Sequence, residues 1–141
     1  MVSARSIDRA AVKAAILAAE RTTSGEIVVS IAPWFWGSVD KAADFAFGKL
    51  GISHTRDRNG VLLFVCPRRR KFVVLGDQAI HAKVGQPFWD AAVAAISERF
   101  RARDLTGGIV HGIETIGVQL AEHFPRRADD VDQLPDDPVD A

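Results

Sequence analysis

Little in this chain invites a covalent, redox or membrane-spanning reading. Its 141 residues contain one cysteine, so there is no intrachain disulfide framework. Cys66 sits in an apolar run and reads as a small buried thiol rather than a reactive one. No apolar stretch approaches the roughly 20 residues that cross a bilayer. Met1-Val2-Ser3-Ala4-Arg5 lacks the apolar core of a secretory signal. The expectation is a cytoplasmic protein with no direct membrane insertion. There is no Gly-x-Ser-x-Gly elbow and no glycine-rich phosphate loop, and His54, His81, His111 and His123 are too scattered for a zinc site.

Net charge is also missing overall, at a formal value of zero, but it is unevenly distributed. Asp129, Asp130, Asp132, Asp136, Asp137 and Asp140 crowd the segment 128–141, which has no Lys or Arg, so the rest of the chain is net basic. With Pro135 and Pro138 among the aspartates, this tail is expected to form neither helix nor strand and to be mobile. Arg68-Arg69-Arg70-Lys71 forms a compact basic patch, but without interleaved aromatics it does not predict nucleic-acid binding.

What is present suffices for one domain over residues 1–127, since 48% of the chain is hydrophobic. Ser6 is the expected N-cap of a helix reaching about Thr22, and Glu26 to Ala32 reads as a strand covered on both faces. Ser38 opens a second helix whose spacing puts Ala42, Phe45, Ala46 and Leu50 on one face and whose stop is Gly51. Val61 to Cys66 and Phe72 to Leu75 form a hairpin about Pro67-Arg68-Arg69-Arg70. Gln78 to Gly85 is ambiguous, a helix follows Pro87, and another runs from Leu105 to His123 with Gly108 and Gly112 at a close helix contact. A strand, a helix and a strand in that order imply a right-handed crossover with parallel strands. The fold class is therefore α/β, a small mixed sheet built from a βαβ crossover and a hairpin with helices on both faces.

This topology carries Glu26, Asp57 and Asp77 to one end of the sheet and the arginine cluster to the other. Carboxylates so placed repel unless they share a cation or a proton. With Asn59 on the tight turn they offer hard oxygen ligands of the kind that suits Ca²⁺ or Mg²⁺. The competing reading is a plain turn at Asp57-Arg58-Asn59-Gly60 with Asp77 capping the next segment. Three familiar patterns fail. Phe72 stands where a cysteine phosphatase needs arginine. Asn59 replaces the second aspartate of a haloacid-dehalogenase loop, which also lies before a strand instead of after one. Cys66 falls where an EF-hand needs its bidentate glutamate. No nucleophile is identified. Trp34-Phe35-Trp36 is either a binding platform or a packed loop.

Ser-Gly-Glu-Ile-Val-Val (24–29), Arg-Asn-Gly-Val-Leu-Leu-Phe-Val (58–65), Val-Leu-Gly-Asp (74–77) and Gly-Gly-Ile-Val-His-Gly-Ile (107–113) together resemble the TPM domain family. The resemblance implies an α/β/α sandwich with a mixed sheet. It also implies a divalent-cation site in which Asp57 and Asp77 match the family's acidic positions and Glu26 matches more weakly. Two roles follow from it. One is a cation-binding regulatory module acting with membrane-associated protein partners, and the alternative is a metal-assisted acid phosphatase. The chain departs from many family members in lacking their signal peptide, membrane-spanning helix and glycine-rich tail, which argues against their exported roles.

Overall fold

A computed structural model describes residues 7–127, 134 and 137–140. Strands β1 (Glu26–Ile31) and β2 (Gly60–Cys66) are buried along their whole length. Their runs are apolar rather than alternating, apart from Glu26 and Ser30 in β1, since alternate side chains enter two different cores. Ile27, Val29, Ile31, Val61, Leu63 and Val65 point into a larger core. Val28, Ala32, Leu62, Phe64 and Cys66 point into a smaller one. Helices α1 (Arg9–Glu20), α3 (Gln78–Arg101) and α4 (Leu105–His123) cover the first face, and α2 (Val39–Lys49) covers the second. The α/β reading and the two covered faces are therefore both present.

β1 and β2 pair in parallel with Glu26 beside Gly60, and β2 pairs antiparallel with β3 (Lys71–Gly76) with Val61 beside Gly76. Both the crossover and the hairpin follow the sequence reading, and the tip is a short helical turn at Pro67–Arg69 closed by Arg70. A fourth strand was not expected. Val139–Asp140 forms β4, which pairs in parallel with Ser30 and Ile31 and gives the order β3-β2-β1-β4. The tail that was expected to form neither helix nor strand thus contributes an edge strand at its described end. Leu134 and Val139 supply the apolar contacts to the smaller core. Lys13 pairs with Asp137 at 3.2 Å and Arg9 with Asp140 at 2.6 Å, so α1 supplies the opposite charge. The other tail aspartates lie outside the described residues, as does Ser6.

The first helix is capped by Asp8, whose Oδ1 accepts the Ala11 N–H at 3.1 Å. Gln78 to Gly85 is helical, and α3 is two helical pieces joined at Gly85, whose φ of 73° breaks the regular geometry just before Pro87. The span of α4 matches the sequence reading. A Cβ on Gly108 would lie 2.5 Å from Phe100, and one on Gly112 would lie 2.8 Å from Ile96 Cδ1. Both glycines are therefore required by the approach of α3 and α4. The second helix turns Ala42, Ala46 and Leu50 to the smaller core as predicted, but not Phe45. It buries Ala43 and Ala46, small residues that let it lie close on the sheet, and leaves Phe45 72% exposed.

Candidate functional site

The register delivers the acidic end as expected. Glu26 and Gly60 are cross-strand partners, and the Asp77 N–H donates to the Gly60 carbonyl at 2.9 Å, so Glu26, Asp57, Asn59 and Asp77 all belong to one end of the sheet. Their side chains, however, turn to protein donors. Asp77, 5% exposed, accepts from Arg58 Nε at 2.8 Å, from Arg58 Nη2 at 3.0 Å and from the Gln78 N–H at 2.8 Å as the N-cap of α3. The hydrogen bond to Asp77 makes the Arg58 guanidinium hold its proton more tightly than usual, against a smaller cost of desolvation. Arg58 itself adopts a left-handed conformation, φ 52°, to make this bidentate pair.

The other three predicted residues are also engaged. Asp57 Oδ2 accepts from Arg127 Nη2 at 2.6 Å. Asn59, 1% exposed, donates to Ser24 Oγ at 3.3 Å. Buried Glu26 accepts the Leu134 N–H at 2.8 Å, so it anchors the tail. Among the described residues no three His, Cys, Asp or Glu side chains gather in a way that could hold a metal ion. The donor types suit Ca²⁺ or Mg²⁺, but this arrangement does not fit one. An ion on Asp77 has to displace a two-pronged guanidinium, and an ion on Asp57 has to displace Arg127.

The carboxyl ends of β1 and β2 are built differently. In open α/β sheets this is the edge at which ligands usually bind. On the α2 face a groove of about 330 Å³ runs between Trp34, Phe35 and Trp36 on one side and Ala42, Phe45, Ala46 and Leu50 on the other. Phe35 is buried and meets Phe64 edge-on at 6.2 Å between ring centroids. Trp34 is half-exposed and Trp36 is 88% exposed. Arg69 holds this loop, donating to the carbonyls of Phe35 at 3.2 Å and Gly37 at 3.0 Å while lying 4.2 Å from the Phe35 ring centroid. The groove floor includes Ser30, a residue with no exposed surface, whose Oγ has no hydrogen-bond partner among the described residues. Lys41, Lys49 and Asp140 stand at its rim.

The sequence flagged the aromatic loop but not the groove. Phe45 shares the apolar spacing of α2 yet stands exposed at the groove, and nothing in Ser30, one polar residue in an apolar strand, signals an unsatisfied hydroxyl. The basic tip also divides. Arg69 serves the aromatic loop, whereas Arg70 and Lys71 line a separate cavity together with Phe72, Ser97 and Phe100.

The matches to other proteins agree with this architecture. The BA42 protein of the psychrophilic bacterium Bizionia argentinensis, whose structure was determined by NMR, is similar at 36% sequence identity and a TM-score of 0.88, over 94% of this chain and 92% of that one. No curated protein matches. The model of the TPM domain matches residues 4–119. With the predicted fold present and more than two thirds of its length matched, the chain belongs to the TPM domain family.

Proposed function

We propose that this TPM domain acts as a binding module whose docking face is the aromatic groove at the carboxyl end of β1. Its occupant is an extended segment, carrying apolar side chains and carboxylates, of a membrane-associated protein. The observation that carries this reading is the grouping of Trp34, Trp36 and Phe45, all exposed, around an apolar groove with an unpartnered hydroxyl in its floor. Exposed apolar patches of this kind mark interaction surfaces, and Trp is favoured there because it combines a large apolar face with one donor.

The chemistry of the occupant follows from the chain itself. Its own tail lies along the same edge, with Leu134 and Val139 against the apolar core below the groove and Asp140 at the rim. Lys41 and Lys49 add cations that favour a carboxylate-bearing segment. Because β4 already pairs with this edge of β1, a partner segment takes its main-chain hydrogen bonds by displacing the tail, while side-chain pockets supply selectivity. Two neighbouring tryptophans, a residue type that settles at bilayer headgroups, favour a partner held at a membrane.

The test is a titration of the whole protein with a synthetic peptide of the sequence of residues 132–141. Binding should shift tryptophan emission to shorter wavelength, and Trp36→Ala or Phe45→Ala should weaken it at least tenfold. Unchanged emission at millimolar peptide would refute the groove as a docking face.

A second reading rests on the register that brings Glu26, Asp57 and Asp77 to one sheet end. In it a Ca²⁺ or Mg²⁺ ion binds there after Arg58 and Arg127 swing out, which their half-exposed side chains allow. Exposed ion pairs contribute only about 0–1 kcal/mol, so Arg127 is the easier to displace. A metal-assisted phosphomonoesterase would need this same ion, so both depend on opening the Arg58–Asp77 pair. A rise in melting temperature with millimolar Ca²⁺ or Mg²⁺ that is lost in Asp57→Asn supports the ion, and an unchanged melting curve refutes it.

A further inference from the structure

A cavity of about 470 Å³ lies on the opposite face of the sheet from the aromatic groove, where the hairpin tip meets the α3–α4 connection. Four cationic side chains line it: Arg70 and Lys71 from the tip, Arg101 and Arg103 from the connection. All four residues are exposed, and among the described residues none makes an ion pair. The nearby carboxylate of Asp104 is used elsewhere, capping α4 through the Gly107 N–H at 2.9 Å and facing Arg99 at 3.8 Å. Like charges gathered without a counter-ion repel one another, a cost that an anion removes.

Two of the four occupy backbone positions that disfavour them. Arg70 has φ 54° and Arg103 has φ 63°, the left-handed region in which glycine is favoured and a long side chain is strained. Strain of this kind collects at binding sites because the surrounding structure enforces it. Apart from Ser97 the rest of the wall is apolar and aromatic, with Phe72 and Phe100 packed edge-on at 5.0 Å between ring centroids. A cavity with this volume, these cations and this floor accepts a molecule with one strongly charged end and an apolar body.

We propose that this cavity binds a small organic phosphate, with the phosphate among Arg70, Lys71, Arg101 and Arg103 and the apolar part against Phe72 and Phe100. Arginine suits the charged end because its planar fork meets phosphate oxygens in pairs. The site is independent of the aromatic groove and of any ion at the acidic end.

The experiment titrates the full chain by calorimetry with phenyl phosphate and with inorganic phosphate at low and moderate salt. Sedimentation with vesicles containing phosphatidate distinguishes a lipid headgroup from a soluble ester. Phenyl phosphate should bind at least tenfold more tightly than inorganic phosphate and weaken with salt. The double variant Arg70→Gly/Arg103→Gly should lose binding at least tenfold while its melting temperature holds or rises, because glycine relieves both left-handed positions. That combination excludes misfolding as the cause. Vesicle binding in addition to phenyl phosphate binding upholds the site and extends it to lipid headgroups. Vesicle binding without phenyl phosphate binding, absence of phosphate binding at millimolar concentration, or equal binding by parent and double variant would each overturn the cavity as a phosphate site.

Discussion

Replacing Ser30 by alanine separates what the groove contributes to folding from what it contributes to binding. Ser30 has no exposed surface and its Oγ has no hydrogen-bond partner among the described residues. A buried hydroxyl left unpaired costs about 1–3 kcal/mol of desolvation. The free protein should therefore be stabilised by about 1 kcal/mol in Ser30→Ala, since the smaller side chain also gives up some packing. For a domain of this length that is a rise in melting temperature of roughly 3–5 °C. Peptide affinity should hold within about twofold, because the hydroxyl has no exposed surface for an occupant to meet. Thermal melts followed by circular dichroism and the same peptide titration measure both. Loss of stability in Ser30→Ala would show that the hydroxyl is already satisfied in the free protein, and a roughly tenfold loss of peptide affinity would show that it is reached from the groove.

At the acidic end, Asp77→Ala removes an N-cap, worth about 1 kcal/mol, together with the charged partner of Arg58, while Asp77→Asn loses the charge but keeps an acceptor for the Gln78 N–H and should cost less than alanine in the same thermal melts. A larger loss for asparagine than for alanine would contradict the capping role. Raising the pKa of Arg58 in the folded state makes its contribution complete below the arginine's ordinary pKa and lost only as pH rises through the folded value. Stability measured in urea should therefore show no change attributable to Arg58 between about pH 6 and 10. Gly112→Ala places a Cβ 2.8 Å from Ile96 Cδ1 and should lower stability by about 1–3 kcal/mol, and a neutral result would mean that α3 and α4 can separate at no cost.

Much of the architecture was legible because it rests on local patterns. The span of α4 follows from the apolar spacing of Ile109, Ile113, Ile116 and Leu120 and from Pro125 beyond its end, and the hairpin follows from two β-branched runs about one short turn. The common end for Glu26, Asp57 and Asp77 came from topology alone. The fate of their side chains did not, because Arg127 reaches Asp57 from 70 residues away and Arg58 reaches Asp77 only through a left-handed backbone. Periodicity oriented α2 for Ala42, Ala46 and Leu50 but not for Phe45, since alanines and Phe45 compete for the sheet and close packing favours the alanines. Strand β4 has two residues and a preceding proline, so its stability comes from the β1 edge, Arg9 and the apolar contact of Val139, none of which a local pattern contains.

The proposed docking face lies at the carboxyl end of β1 and not among the carboxylates at the other end. The three indole N–H signals in the proton–nitrogen spectrum test it most directly, because Trp34 and Trp36 line the groove while Trp89 is buried in the opposite core. On addition of the acidic peptide, the Trp34 and Trp36 indoles should shift together with the amides of Ser30 and residues 42–50, and Trp89 and residues 57–59 should stay in place. Shifts confined to residues 57–59 and Asp77, with both groove indoles unmoved, would contradict the account.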